Sequence, residues 1–141
     1  MLSIAIDAPP ERVWPLLADL DGHAEWMSDV RSIEFETSKR YGLGTKVRIH
    51  TKVGPFTTDD LMEVDAWEEG RRIAMSHLGA VRGHGEFLLE GGDGRSRFVW
   101  TEELHFPWYL GGPVGEVIAR PLLSRIWRSN LDRLKQRAEG G

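Results

Sequence analysis

Between Val30 and Phe106 the chain breaks into six short segments rich in β-branched and aromatic residues, each closed by a turn signal. No other feature limits the fold as strongly, because successive strands at such spacing pair antiparallel, and an antiparallel sheet must bury one face. The segments fall near 30–36, 45–53, 56–67, 71–78, 84–90 and 96–106. Tyr41-Gly42-Leu43-Gly44, Gly54-Pro55, Glu68-Glu69-Gly70, Gly79-Ala80-Val81-Arg82 and Gly91-Gly92-Asp93-Gly94 supply the turns. Leu2, Ile4 and Ile6 alternate with Ser3, Ala5 and Asp7, which adds a strand at the start and makes seven.

Two helical stretches flank these strands. Val13, Leu16, Leu17 and Leu20 share the spacing of one helical face, so a helix is expected from about Pro10 to Asp19, with Pro15 imposing a kink or a late start. Ala24 to Ser28 is long enough only for a short second helix. The longest helical pattern runs from about Pro113 to Ala138, with Leu123, Trp127, Leu131, Leu134 and Ala138 on one face, and Pro121 predicts a bend near Arg120. Only this segment is long enough to cover the sheet. The expected class is therefore α+β, with a curved seven-stranded antiparallel sheet wrapped around a C-terminal helix.

The residue inventory narrows the function classes. A chain of 141 residues corresponds to one domain, and the absence of cysteine removes disulfides, thiolate metal sites and cysteine nucleophiles. Eighteen Lys and Arg against 22 Asp and Glu give a net charge of −4, which opposes phosphate-backbone binding, so no nucleic-acid partner is expected. The first residues lack a basic region and a long apolar run, and no stretch is long enough to insert stably in a membrane, so a cytoplasmic protein is expected. The sequence leaves its oligomeric state open.

Ile6-Asp7-Ala8-Pro9-Pro10-Glu11-Arg12-Val13-Trp14-Pro15-Leu16-Leu17-Ala18-Asp19, the following Trp26 and Val30, Gly42-Leu43-Gly44-Thr45, Val64, Trp100 and the closing Asn130-Leu131-Asp132-Arg133-Leu134-Lys135 carry a resemblance. The chain resembles the START-like, or SRPBCC, helix-grip superfamily, and within it the polyketide cyclase/dehydrase-like group. The resemblance spans residues 1–141 as one domain. It implies a cavity between sheet and long helix that takes lipids, polyketides or other apolar molecules, with catalysis in a minority of members. It brings no universal catalytic motif.

No phosphate loop, zinc-protease motif, nucleophile elbow or dinucleotide fingerprint occurs, and Gly42-x-Gly44 reads as a turn. The candidates are polar residues in phase with apolar ones. Phe98, Trp100, Leu104 and Phe106 alternate, and Glu102 falls in their series, so its carboxyl should point inward. An apolar setting favours the neutral acid, which suits a proton donor or a group binding a ligand hydroxyl; the structural alternative is a hydrated or arginine-paired carboxylate. His77 shares a face with Ile73 and Met75 and should stand on the order of 10 Å from Glu102 across a glycine-containing strand, leaving room for a small ligand. A histidine satisfied by ordinary hydrogen bonds is the competing reading. Asp60 points inward if Met62 and Val64 do, and outward if Leu61 and Trp67 face the core. His23 and Glu25 are expected to be exposed.

The expected ligand lining comprises Trp26, Met62, Met75, Phe87, Trp100 and Ile118, with Glu102 and His77 orienting polar ligand atoms. No metal site or cofactor is expected, because no histidine has close ligand spacing. Trp108, Tyr109 and Leu110 could gate the cavity, meet another subunit or pack on their own domain. Three functions follow: binding of a small apolar molecule, a cyclase/dehydratase that uses Glu102 or His77 as acid or base, or a protein-interaction module whose exposed Trp108 and Tyr109 contact a partner.

Overall fold

The computed structural model describes residues 1–53, 56–79 and 81–140. Seven strands form one antiparallel sheet: β1 (Leu2–Ile6), β2 (Val30–Phe35), β3 (Lys46–Val53), β4 (Phe56–Glu68), β5 (Arg72–Leu78), β6 (Arg82–Gly92) and β7 (Arg95–His105). Their order across the sheet is β1-β7-β6-β5-β4-β3-β2, so the first strand lies beside the last and the other neighbours are consecutive. The turns expected at Gly54–Pro55 and at Ala80 lie outside the described residues. At the β6–β7 tip, Asp93 and Gly94 both have positive φ (55° and 78°), as a two-residue hairpin turn demands.

Helix α1 (Pro10–Ala18) begins at its first proline and runs through Pro15. The late start expected there does not occur. Pro15 faces solvent while Val13, Trp14, Leu17 and Ala18 are buried, so its ring points away from the packed side. The second helix is a 3₁₀ turn over Asp21–Glu25, earlier than expected, because the Asp19 Oδ1 accepts the Gly22 N–H (3.2 Å) and Leu20 accepts that of His23 (3.2 Å). Another 3₁₀ turn, Trp108–Leu110, leads into α2 (Gly112–Gly140). Helix α2 is not divided at Pro121, whose exposed position places the lost hydrogen bond on the solvent side.

The rear half of α2 rests on β1, β7 and α1. Leu131, Leu134 and Ala138 are fully buried there, continuing a stripe that includes Leu123 and Trp127. Asn130, also fully buried, locks the helix to the loop after the 3₁₀ turn. Its Oδ1 accepts the Ser28 N–H (3.0 Å), and its Nδ2 donates to Asp29 (2.9 Å). Beneath the helix Trp26, Phe87, Phe98 and Trp100 form an aromatic cluster with ring centroids 5.2–6.5 Å apart. That part of the interval between sheet and helix is filled.

One irregularity sets the inner face of β4. The register with β5 shifts between Val64 and Ala66, so Val64 stands opposite Met75 and Trp67 opposite Ile73. The bulge at Asp65 thus reverses the phase within one strand. Met62, Val64 and Trp67 can all lie on the core side, and Asp60 lies there with them.

Candidate functional site

Asp60, His77 and Glu102 meet on the inner face of the sheet. His77 Nδ1 lies 2.7 Å from Asp60 Oδ2, and its Nε2 lies 3.0 Å from Glu102 Oε2. Trp100 Nε1 donates to the other oxygen of Glu102 at 3.1 Å. The three ionisable side chains are 9% (His77), 18% (Asp60) and 11% (Glu102) exposed, which puts a carboxylate–imidazole–carboxylate chain in a largely dry setting.

The wide separation expected between His77 and Glu102 is therefore wrong, and the reason is β6. His77 pairs with Gly83, and Glu102 with Gly85. Without a Cβ at these positions the two side chains lie down across the strand and touch. A Cβ at Gly85 would come within 2.7 Å of Glu102 Oε1, and one at Gly83 would collide with the Glu103 carbonyl. The space expected to hold a ligand between His77 and Glu102 is occupied by their own hydrogen bond. The partner of Glu102 is this histidine and not an arginine.

Both ring nitrogens of His77 face carboxylate oxygens, and only the imidazolium can donate from both. Burial alone pushes the His77 pKa down, but the hydrogen bonds and charges of Asp60 and Glu102 outweigh it and raise the value from 6.5 to about 10. The chain then carries two negative charges and one positive. Asp60 Oδ1 is buried without a hydrogen-bond partner.

The other expected lining residues divide. Met62 stands opposite His77 in the β4–β5 register and Met75 opposite Gly85, so both border the triad. Trp100 borders it through Glu102. Trp26, 1% exposed, and Phe87 belong to the packed aromatic cluster and lie behind Trp100. Ile118 is not brought to the site; it is 73% exposed, with Val114, Val117 and Leu122 beside it on the front half of α2. Extended toward the N-terminus, the inward stripe of the helix passes through Ala119 and Glu116, one or two residues off Ile118. Trp108, Tyr109 and Leu110 are exposed, next to that front half.

His23, expected to be exposed, is buried. Its Nε2 lies 2.7 Å from the Leu17 carbonyl, and its ring packs against Trp26 and Phe87. Burial, only partly opposed by that carbonyl and by Asp19, lowers its pKa from 6.5 to about 4, so the ring is neutral and Nε2–H donates. Glu25 is exposed and meets Arg137 at 3.0 Å.

A separate cluster gathers on Glu69. Trp14 Nε1 (2.9 Å), Trp67 Nε1 (2.8 Å) and the Tyr41 hydroxyl all donate to its carboxylate, joining α1, the loop before β3 and the β4–β5 turn. These donors, Trp67 foremost, hold the carboxyl below its ordinary range. Among the described residues no group of three or more His, Cys, Asp or Glu is placed to hold a metal ion, and no helix is long and apolar enough to cross a membrane.

Comparison with solved structures supports the same architecture. The Zhui aromatase/cyclase of a Streptomyces species superimposes with a TM-score of 0.80 at 20% identity, covering 98% of this chain and 91% of that one. A START superfamily protein from Mycobacterium smegmatis gives 0.70 at 13% identity (96% and 95% covered), and TTHA0849 from Thermus thermophilus gives 0.69 at 23% (97% and 94%). No curated protein matches the sequence. A family model described as polyketide cyclase / dehydrase and lipid transport matches residues 2–139, and the chain, with its helix-grip fold, belongs to that family.

Proposed function

We propose that the protein binds a small, largely apolar molecule on the inner face of the sheet, beside the front half of α2. Met62, Met75 and Trp100 would contact its apolar body, and Asp60, His77 and Glu102 its polar end. The observation that carries this reading is the carboxylate–imidazolium–carboxylate chain set into an otherwise apolar surface. Replacing buried charge of this kind by apolar packing is often neutral or stabilising, so its presence here supports a role beyond holding the core. The rear of the interval is packed with aromatic rings, so the ligand would sit toward the front half of α2, whose inward stripe passes through Glu116 and Ala119. Native mass spectrometry of freshly purified protein should reveal an adduct of small-molecule mass that is lost on denaturation. Protein free of adduct that also fails to bind aromatic probes would end this reading.

A cyclase/dehydratase reading rests on one further observation: His77 holds a proton between two carboxylates. Glu102 could pass that proton to a departing hydroxyl, releasing water, while the proton lost from the neighbouring carbon returns to the chain. Glu102→Gln separates the two readings. Retained binding with turnover abolished supports the enzyme; a wild-type protein that binds polyketide-like substrates and leaves them unchanged supports the carrier.

A further inference from the structure

The donors and acceptors around the triad are unequal in number. The His77 imidazolium has two N–H groups, and both are spent, one on each carboxylate. The Trp100 indole N–H is spent on Glu102. Each carboxylate oxygen, by contrast, can accept more than one hydrogen bond, so the triad has acceptors to spare and no free donor. Its charge points the same way. Followed through the registers from β3 to β7, the inner face carries no lysine or arginine among the described residues; its charged members are Asp60, His77 and Glu102, which sum to −1. Arg120 and Arg125 of α2 are exposed to solvent.

An incoming carboxylate would therefore meet two carboxylates and a cation already satisfied by them, while the unpaired Trp26 indole N–H lies buried behind Trp100, and it would lose its hydration on entering. A neutral ligand with a hydroxyl brings the one element the site lacks. Resting on the binding site proposed above, we infer that this site selects neutral molecules carrying an O–H donor, such as phenols and alcohols, and rejects carboxylates of the same skeleton, free fatty acids included. The donor to a charged acceptor is the strong kind of hydrogen bond, and its loss costs about tenfold or more in affinity.

The test compares three probes of one ring system, naphthol, methoxynaphthalene and naphthoate, by isothermal titration and tryptophan quenching at neutral pH. Naphthol should bind wild-type protein at least about tenfold tighter than naphthoate, with methoxynaphthalene between them. In Glu102→Gln, which removes one charge and adds an amide donor, the gap should shrink to about threefold or less because naphthoate gains. Asp60→Asn provides the same charge change on the other side of His77. Naphthoate binding wild-type protein as tightly as naphthol would overturn the selectivity while leaving the binding site standing. Failure of all three probes, together with an absence of copurified adduct, would overturn the site and the selectivity with it.

Discussion

His23 and His77 are almost equally buried, at 5% and 9% exposure, yet their protons are held in opposite ways. His23 offers one nitrogen to a backbone carbonyl and packs its ring between Trp26 and Phe87, so desolvation sets its pKa at about 4. At His77 desolvation also lowers the pKa, but a carboxylate on each nitrogen reverses the sign, to about 10. The two are connected through Phe87 and Trp100, whose rings lie 5.5 Å apart. Burial therefore does not distinguish a core histidine from a charged one; the atoms touching its two nitrogens do.

The largest effect should come from removing the cation. His77→Leu leaves Asp60 and Glu102 buried without it and should cost about 3–5 kcal/mol in urea denaturation at neutral pH. A loss near zero would mean that the carboxylates are hydrated and that the contrast with His23 is only one of packing. Next in size is the pH dependence. The His77 contribution is fully present below its unfolded value of 6.5 and is lost as pH rises toward about 10. The His23 contribution is present above 6.5 and is lost as pH falls toward about 4, because only the unfolded chain takes up that proton readily. Each limb should amount to a few kcal/mol, placing the best stability of the pair near 6.5, and His23→Phe should flatten the acid limb alone.

Gly85→Ala should cost about 1–3 kcal/mol by forcing Glu102 off β6, and it should weaken naphthol binding further than it weakens the fold. The smallest effect belongs to His23→Phe at neutral pH. It keeps the ring contacts, strands the Leu17 carbonyl and should lower stability by about 1 kcal/mol.

These contrasts also mark what a sequence can reveal. Seven strands and the face of α2 were legible, since Leu2, Ile4 and Ile6 alternate and Leu123, Trp127, Leu131, Leu134 and Ala138 keep helical spacing. The phase of β4 was ambiguous for a physical reason: Asp65 bulges, so Met62 and Val64 before it and Trp67 after it share the core side, while Leu61 faces away. Glu102 and His77 stood out as polar members of apolar series. Their contact did not, because it depends on side chains folding across two glycines, which no period expresses. Asp60 follows once the bulge is known. His23 was misplaced because a break in helical periodicity resembles solvent exposure, and here the break is a surface 3₁₀ turn that buries His23 alone of its five residues. The spacing already set both prolines on the outer side of their helices, Pro15 two residues from Val13 and Leu17 and Pro121 two residues from Leu123.

The neighbourhood of β1 and β7 has a consequence for how the chain assembles. Leu2 meets Trp100 across most of the sequence, whereas every other strand partnership joins segments adjacent along the chain. Closing so long a loop carries an entropic penalty that the hairpins avoid, so the strands bearing Asp60, His77 and Glu102 can come together through short-range encounters. The terminal helix rests on β1 as well as on β7 and α1, so its full seating includes the long-range closure. Topology thus lets the charged trio form ahead of the helix beside which its ligand is proposed to sit.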